Sequence, residues 1–338
     1  MTQSAVIFGC EGPTLLPREV AFFREVNPWG FILFARNLET PDQIKALTSD
    51  LRATVGWDIP ILIDQEGGRV ARLRAPLATE WPAPKDHFGT LPDMTSEEVA
   101  WLRYRIIAAE LKALGIDVNC APMLDLMQPD THDIIADRAY GFDPDRIAKL
   151  GRAVAQGLLD GGVLPIMKHI PGHGRATIDS HHDLPRVSVP KETLLATDFA
   201  PFKALADLPM AMTGHVVFED IDPDNCATLS PTVISIIRQG LGVDGLLMTD
   251  DLSMKALSGS FADRSSAALS AGCDVLLHCN GVMEEMTEVA SVAPRLSGKS
   301  LERADTALAH RREASVFDVE GAGARINDLI NSVNAGES

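Results

Sequence analysis

The segment Val163-Leu164-Pro165-Ile166-Met167-Lys168-His169 stays apolar for five residues and then stops on two basic ones. Five residues are too few for a helix, and polar and apolar side chains do not alternate along them. That is the pattern of a strand buried on both faces of a parallel sheet, with polar chemistry beginning where the strand ends. Seven further runs of this kind are spread along the chain: Ala5–Phe8, Gly30–Phe34, Ile59–Ile63, Val118–Ala121, Met210–Thr213, Gly245–Thr249 and Asp274–Leu277. Between them lie stretches of helical period. Pro41–Val55 carries Leu47, Leu51 and Val55 on one side, and Ser96–Leu114 carries Val99, Leu102, Ile106 and Leu114. Pro13–Val26, Asp143–Leu159, Lys191–Ala206, Pro231–Gly240, Ala262–Ala271 and Met283–Ala293 follow the same habit, with Leu301–Arg312 and Ala322–Val333 expected as closing helices. Eight strands alternating with helices predict an α/β fold, a single (β/α)8 TIM-type barrel over residues 1–338 with C-terminal closing helices at about 299–335. The competing arrangement is an open doubly wound sheet, but no Gly-x-Gly-x-x-Gly turn follows the first strand to support it.

Composition narrows the partners. The 338 residues carry 47 acidic against 30 basic side chains, a net charge of −17. Nucleic acid and anionic membrane surfaces both demand a positive face, so the expected partner is a small molecule, with no nucleic acid and no membrane. The five cysteines Cys10, Cys120, Cys226, Cys273 and Cys279 are odd in number and form no Cys-x-x-Cys pair, which reads as reduced structural thiols in a cytosolic protein. The first residues lack the basic region and the long apolar run of a signal peptide, and no run approaches 18 apolar residues. A cytoplasmic monomer is the expectation.

In a barrel the active site lies at the C-terminal ends of the strands, and polar residues collect at those ends here. The third strand runs into Asp64-Gln65-Glu66-Gly67-Gly68-Arg69-Val70-Ala71-Arg72, and the fourth passes through Asn119-Cys120-Ala121-Pro122 to Asp125. The fifth ends in Lys168-His169, the sixth in His215 and the seventh in Asp250-Asp251. Any one of these is as readily a cap or a solvated residue; five strand ends together mark a site. Four of the nine histidines fall within Lys168–Pro185, a loop with too little apolar content to gain core burial. Two chemistries compete for such a loop. One is a metal site of imidazoles and carboxylates; the other is acid–base work by a His that an Asp orients.

The residues Lys168-His169-Ile170-Pro171-Gly172-His173-Gly174, then Asp179-Ser180-His181, resemble glycoside hydrolase family three. So do Asp64-Gln65-Glu66-Gly67-Gly68-Arg69 upstream and Thr249-Asp250-Asp251-Leu252-Ser253-Met254 downstream. Within that family the likeness is to the bacterial β-N-acetylhexosaminidases of peptidoglycan recycling. It extends from Pro28–Asn37 to Gly272–Leu277, and several motifs in one order make it specific. The resemblance implies a glycosidase of carbohydrate metabolism and cell-wall biogenesis, a retaining exo-β-N-acetylglucosaminidase without metal or cofactor. Its substrate would be muropeptides carrying N-acetylglucosamine on 1,6-anhydro-N-acetylmuramic acid. It places Asp250 as the nucleophile and Asp179 with His181 as the general acid/base dyad. Asp64, Arg72, Arg138, Lys168 and His169 would hold the N-acetylglucosamine ring. Ile170, where the family more often has an aromatic, and Arg175 are mild departures.

The residue types suit those roles. A retaining glycosidase needs a carboxylate on one face of the sugar and a proton donor at the leaving oxygen. A His titrates near working pH without perturbation, and Asp179 can hold its tautomer; Asp183 is a rival orienter. Asp251 is the rival nucleophile, or else the cap of the turn beginning at Leu252. His173 is expected to bond the loop backbone, His215 to line the pocket and His182 to be solvated or structural. His87, His132, His278 and His310 are read as structural, as is Arg69, while Glu66 is a candidate to hold an Arg. About sixty residues follow the eighth strand, enough for its helix and two closing helices, so the acid is expected from the barrel's own loops. A metal-dependent hydrolase using His169, His173, His181, His215 and Asp250 ranks second, though no His-x-His pair stands at an early strand end. A non-catalytic sugar-binding protein ranks third. Capture of the intermediate by phosphate instead of water is a side question within the first reading.

Overall fold

The computed structural model describes residues 2–129, 131–176 and 184–336. Its main strands are β1 (Ser4–Gly9), β2 (Pro28–Leu33), β3 (Ile61–Ile63), β4 (Val118–Asn119), β5 (Leu164–Pro165, continued by Met167–Ile170), β6 (Met210–Thr213), β7 (Leu246–Asp251) and β8 (Val275–His278). All pair in parallel, and β1 joins β8 through Val6 opposite Leu276. The order of strands begins and ends on the two parts of β5: Leu164–Pro165 pairs with β4, and Met167–Ile170 with β6. Only Ile166 separates them, and its N–H donates to the carbonyls of Asn119 and Ala121 at 3.1 and 2.9 Å. The result is a nearly closed parallel barrel, with a strand at each of the eight apolar runs.

The absence of alternation in those runs has a packing cause. Ile7, Ile32, Leu62, Val118, Leu164, Met210, Met248 and Leu277 point into an inner apolar core, closed below by Leu296, Ala304 and Ala307. Their neighbours Val6, Phe8, Phe31, Leu33, Ile61, Ile63, Leu247 and Leu276 point outward into a second core beneath the helices. Both faces of each strand are dry, so both sets of side chains are apolar.

The helices follow local signals where these are strong. Pro41–Val55 starts on Thr40, whose hydroxyl accepts from the Gln43 amide, and stops at Gly56 with φ +77°. Other expectations are corrected. Lys191–Ala206 is not one helix but two, Lys191–Ala196 and Ala200–Ala204. Pro201 has no amide hydrogen to continue the first helix's ladder and sits instead in the opening turn of the second. Pro231–Gly240 begins as an α-helix and widens into a π turn over Ile236–Gly240. The first helix starts at Pro17 rather than Pro13, and the closing helices run Gly298–Ala309 and Val319–Gly336, each beginning three residues early. The five cysteines are free and buried. Among the described residues no helix is long and apolar enough to cross a membrane.

Two buried aspartates stitch the lower rim. Asp117 accepts from the Ile61 amide at 2.8 Å and pairs with Arg52 and Arg311. Asp274 does the same one half-turn of the barrel away. It accepts from the Leu247 amide at 2.9 Å and from Ser300, and it pairs with Arg238 and Arg303. Each ties the amide of a neighbouring strand to arginines that reach in from the helical layer. Removing one partner of a buried ion pair costs about 3–5 kcal/mol. Asp274→Ala is therefore predicted to unfold at a clearly lower urea midpoint, whereas Glu302→Ala, which breaks an exposed pair with Lys299, leaves the midpoint in place. Equal midpoints for the two variants would remove Asp274 as an anchor.

Candidate active site

The mouth of the barrel is organised first by two amides. The side chain of Asn119 continues the ladder past the end of β3: Oδ1 accepts from the Gln65 N–H at 2.9 Å and Nδ2 donates to the Gln65 carbonyl at 3.0 Å. The Gln65 side chain then accepts from the amides of Arg72 and Leu73 and donates to the Leu73 carbonyl. The chain between, Gln65–Gly67 against Val70–Ala71, folds into a small antiparallel hairpin. Its return leg brings Arg72 beside Asp64, with 3.0 Å between Nη2 and Oδ2. Gly67 makes the turn possible, since its φ is +105° and a Cβ there would lie 1.8 Å from the Arg103 guanidinium.

An ion lattice lies under the cleft. Lys168 Nζ is 2.7 Å from Asp64 Oδ1 and 2.7 Å from Glu66 Oε1. The Arg138 fork grips both oxygens of Glu66, at 2.9 and 2.8 Å. The Lys168 and Glu66 side chains are only 2% and 1% exposed. Burial pushes the Glu66 carboxyl up, but Arg138 and Lys168 outweigh it and hold the group down at about 2. For Asp64 burial is likewise outweighed, by Lys168 and Arg72, and the carboxyl sits well below its ordinary range. Burial disfavours the Lys168 ammonium, but Asp64 and Glu66 overcompensate and raise it. All three groups are charged at neutral pH.

A second set is arranged around Asp125. Its Oδ2 lies 2.7 Å from His169 Nδ1, and Oδ1 accepts from the His173 amide at 2.6 Å. A carboxylate only accepts, so His169 Nδ1 carries a proton and its Nε2 is left to the cleft. The His173 ring lies edge-on to His169 with 5.7 Å between centroids. Burial, reinforced by His169, lowers His173 to about 4, which leaves it neutral at pH 7.

On the opposite wall β7 ends in Asp250-Asp251. Asp250 Oδ1 accepts from the Asp251 amide at 2.8 Å, and among the described residues Oδ2 takes no hydrogen bond. Burial raises the Asp250 carboxyl, but His215, His169 and the Asp251 amide prevail and lower it, so it is a carboxylate at neutral pH. The Asp251 side chain is occupied elsewhere, accepting from the Ser253 amide and hydroxyl and from the Cys279 amide. That is the capping arrangement, with Asp250 left at the mouth.

Asp64, Arg72, Arg138, Lys168, His169 and Asp250 all line one cleft of about 310 Å³. Asp179 and His181, together with His182 and Asp183, lie outside the described residues. Two expectations about histidines are corrected. Among the described residues the His173 ring takes no bond from the loop backbone; the ring lines the cleft, and Nδ1 is buried without a partner there. His215 does not line the cleft. It is fully buried beneath it, 2.8 Å from Thr228 Oγ1 and 3.1 Å from the Asp251 carbonyl. Arg69 pairs with Asp137 and also lines the cleft, while Arg175 pairs with Asp198. His87 and His278 are structural, bonded to Arg103 and Glu285. Among the described residues no group of three or more His, Cys, Asp or Glu side chains is arranged to hold a metal ion. Sequence reasoning assigned no role to Asp125. Its one signal was a carboxylate just past β4, on the rim where the other polar strand ends gather.

Residues 24–311 match the family model described as the glycosyl hydrolase family 3 N terminal domain. A beta-hexosaminidase of Bordetella avium is 37% identical over 298 residues, covering 86% of this chain and 85% of that protein. The crystal structure of NagZ from Neisseria gonorrhoeae in complex with N-trifluoroacetyl-D-glucosamine matches with a TM-score of 0.85 at 28% identity, over 97% of this chain and 98% of that one. A glycoside hydrolase family 3 beta-N-acetylglucosaminidase from Paenibacillus sp. str. FPU-7 matches with a TM-score of 0.83 at 30% identity, over 96% of this chain and 67% of that one.

The ion lattice has a pH signature of definite sign. Glu66 is depressed in the folded state from an unfolded value of about 4.3, so the stability it contributes is present above that value and is lost as the pH falls toward about 2. Glu66→Gln is predicted to flatten the loss of stability between about pH 4.5 and 2, measured by urea titration at a series of pH values. An acid limb as steep as that of the unchanged protein would mean that Glu66 does not carry it.

Proposed function

This chain belongs to glycosyl hydrolase family 3, and on that premise we propose that it is a retaining exo-β-N-acetylglucosaminidase. The observation that carries the reading is a single cleft with an ionised Asp250 on one wall and fixed donors and acceptors on the other. A neutral sugar ring is held through its hydroxyls, which both donate and accept. Asp64 offers a carboxylate, Arg72, Arg138 and Lys168 offer N–H groups, and Asp125 turns His169 so that Nε2 meets the ring. The Glu66 lattice keeps those cations in place before substrate arrives, so little reorganisation is needed on binding.

In the proposed reaction the Asp250 carboxylate attacks the anomeric carbon from one face. His181, oriented by Asp179, delivers a proton to the leaving oxygen on the other. A covalent glycosyl–Asp250 ester forms. Water then attacks the same carbon while His181 takes its proton, Asp250 leaves as a carboxylate, and N-acetylglucosamine is released with its β configuration retained. The substrate in this reading is a muropeptide with terminal N-acetylglucosamine on 1,6-anhydro-N-acetylmuramic acid. The enzyme is a single catalytic barrel acting as a cytoplasmic monomer, without cofactor or metal. Support for the sugar comes from the β-N-acetylglucosaminidase of Paenibacillus and the gonococcal complex with an N-acylglucosamine.

The direct test is the initial rate on an aryl N-acetyl-β-glucosaminide beside the matching aryl β-glucoside, with chelator present throughout. Turnover of the acetamido sugar alone is expected; turnover that disappears with chelation would bring back the metal-dependent hydrolase. Asp250→Ala should lose nearly all activity on every substrate. His181→Ala should lose about 10²–10⁴-fold with poor leaving groups and far less with strongly activated ones, which barely need the proton. Equal losses across leaving groups would remove His181 from the acid role.

A further inference from the structure

Beneath Asp250 lies a set of polar side chains that the proposed reaction does not use. Thr213 ends β6, His215 follows two residues later, and Thr228 sits in the 3₁₀ turn Ala227–Leu229; all three are completely buried. Their hydrogen bonds can be followed atom by atom. The Asp250 amide donates to Thr213 Oγ1 at 3.3 Å, and Thr213 Oγ1 is 2.8 Å from Thr228 Oγ1. Thr228 Oγ1 is in turn 2.8 Å from His215 Nδ1, and His215 Nε2 is 3.1 Å from the Asp251 carbonyl oxygen. A carbonyl only accepts, so Nε2 carries a proton. The path thus leaves the backbone at the N–H of residue 250 and returns to it at the carbonyl of residue 251.

The loop is satisfied in either protonation state of His215. With neutral imidazole, Thr213 donates to Thr228 and Thr228 donates to Nδ1. With imidazolium, Nδ1 donates to Thr228, whose hydroxyl turns to the Gly214 carbonyl at 3.2 Å. No member is orphaned in either case, which is the condition for keeping three polar side chains in a dry interior. An apolar trio would fill the same space without needing that match. What the loop holds is the two-residue segment whose own contacts set the carboxylate: the Asp251 amide binds Asp250 Oδ1, and the Asp251 side chain is tied to Ser253 and to the Cys279 amide just past β8.

We propose that Thr213, Thr228 and His215 are positioning residues for the reaction, a closed hydrogen-bond loop that fixes the Asp250–Asp251 backbone and thereby aims the Asp250 carboxylate into the cleft. The inference rests on Asp250 being the nucleophile. None of the three touches the sugar, so their loss acts on the attack and not on binding. The group they hold must reach the anomeric carbon along one line, and a displacement of about 1 Å costs on the order of a hundredfold in rate.

The experiment compares Thr228→Val, Thr228→Ser, His215→Gln and Asp250→Ala in the full chain. For each, kcat on an aryl N-acetyl-β-glucosaminide, inhibition by free N-acetylglucosamine and the urea midpoint are measured. Thr228→Val should lower kcat roughly ten- to a hundredfold while the inhibition constant holds, and Thr228→Ser, which restores the hydroxyl, should recover most of the rate. His215→Gln, which keeps a donor for the Asp251 carbonyl but breaks the link to Thr228, should fall between them. A kcat unchanged in Thr228→Val and His215→Gln, with Asp250→Ala inactive, overturns the loop and leaves the nucleophile standing. So does a kcat that falls only in step with weaker inhibition and a lower urea midpoint, the pattern of a merely structural role. An active Asp250→Ala overturns the nucleophile itself. If Thr228→Val does not fold, Thr213→Val, which removes the acceptor for the Asp250 amide, is read in the same way.

Discussion

A buried ammonium between two buried carboxylates is the constraint around which the mouth of this barrel is built. Lys168 Nζ stands 2.7 Å from both Asp64 and Glu66, and Arg138 and Arg72 close the array on either side. Taking such charges out of water costs several kcal/mol per ion, a cost offset only by close opposite charges and hydrogen bonds. The array therefore dictates much of its surroundings. It requires the hairpin after β3, because that turn returns Arg72 to Asp64. It requires the Gln65–Asn119 amide pair, because that pair holds the hairpin to β4. Glu66 itself is withdrawn from the cleft and serves to present two cations to it.

The lower rim uses the same chemistry to a different end. Asp117 and Asp274 each gather two arginines and a neighbouring strand's amide, and there the arginines come from the helical layer and from the segment just after the helix Gly298–Ala309. Below, apolar side chains of the closing helix complete the inner core of the barrel. Above, the ion lattice borders a cleft that Arg72, Arg138 and Lys168 line. Position on the strand, and not residue type, separates a structural staple from a charge that lines the cleft.

Much of the architecture was legible in the sequence because its cause is local. Each of the eight strands falls on a short run apolar on both faces, and Pro41–Val55 has its cap, its proline and its terminal glycine written into adjacent residues. The capping place of Asp251 was also partly legible, since a carboxylate two residues before a turn serine is a familiar cap. Other features had no local signal. Asp125 looked like any polar residue after a strand until the fold set it against His169, 44 positions away. His215 looked like a pocket residue because it closely follows a strand, yet its ring is bonded to Thr228 beneath the cleft.

By itself the sequence determined which segments become strands and helices and which ends of the strands are polar, because hydrophobic period, proline, glycine and capping side chains act over a few residues. It also carried the motifs whose order resembles one family. Only the tertiary structure decided which charges meet: Asp64 finds Lys168 across 104 positions and Glu66 finds Arg138 across 72. The two histidines whose roles were misread were decided there too. A buried charge or imidazole takes its character from the groups that surround it, and those groups are brought together by barrel closure, not by neighbourhood in the chain.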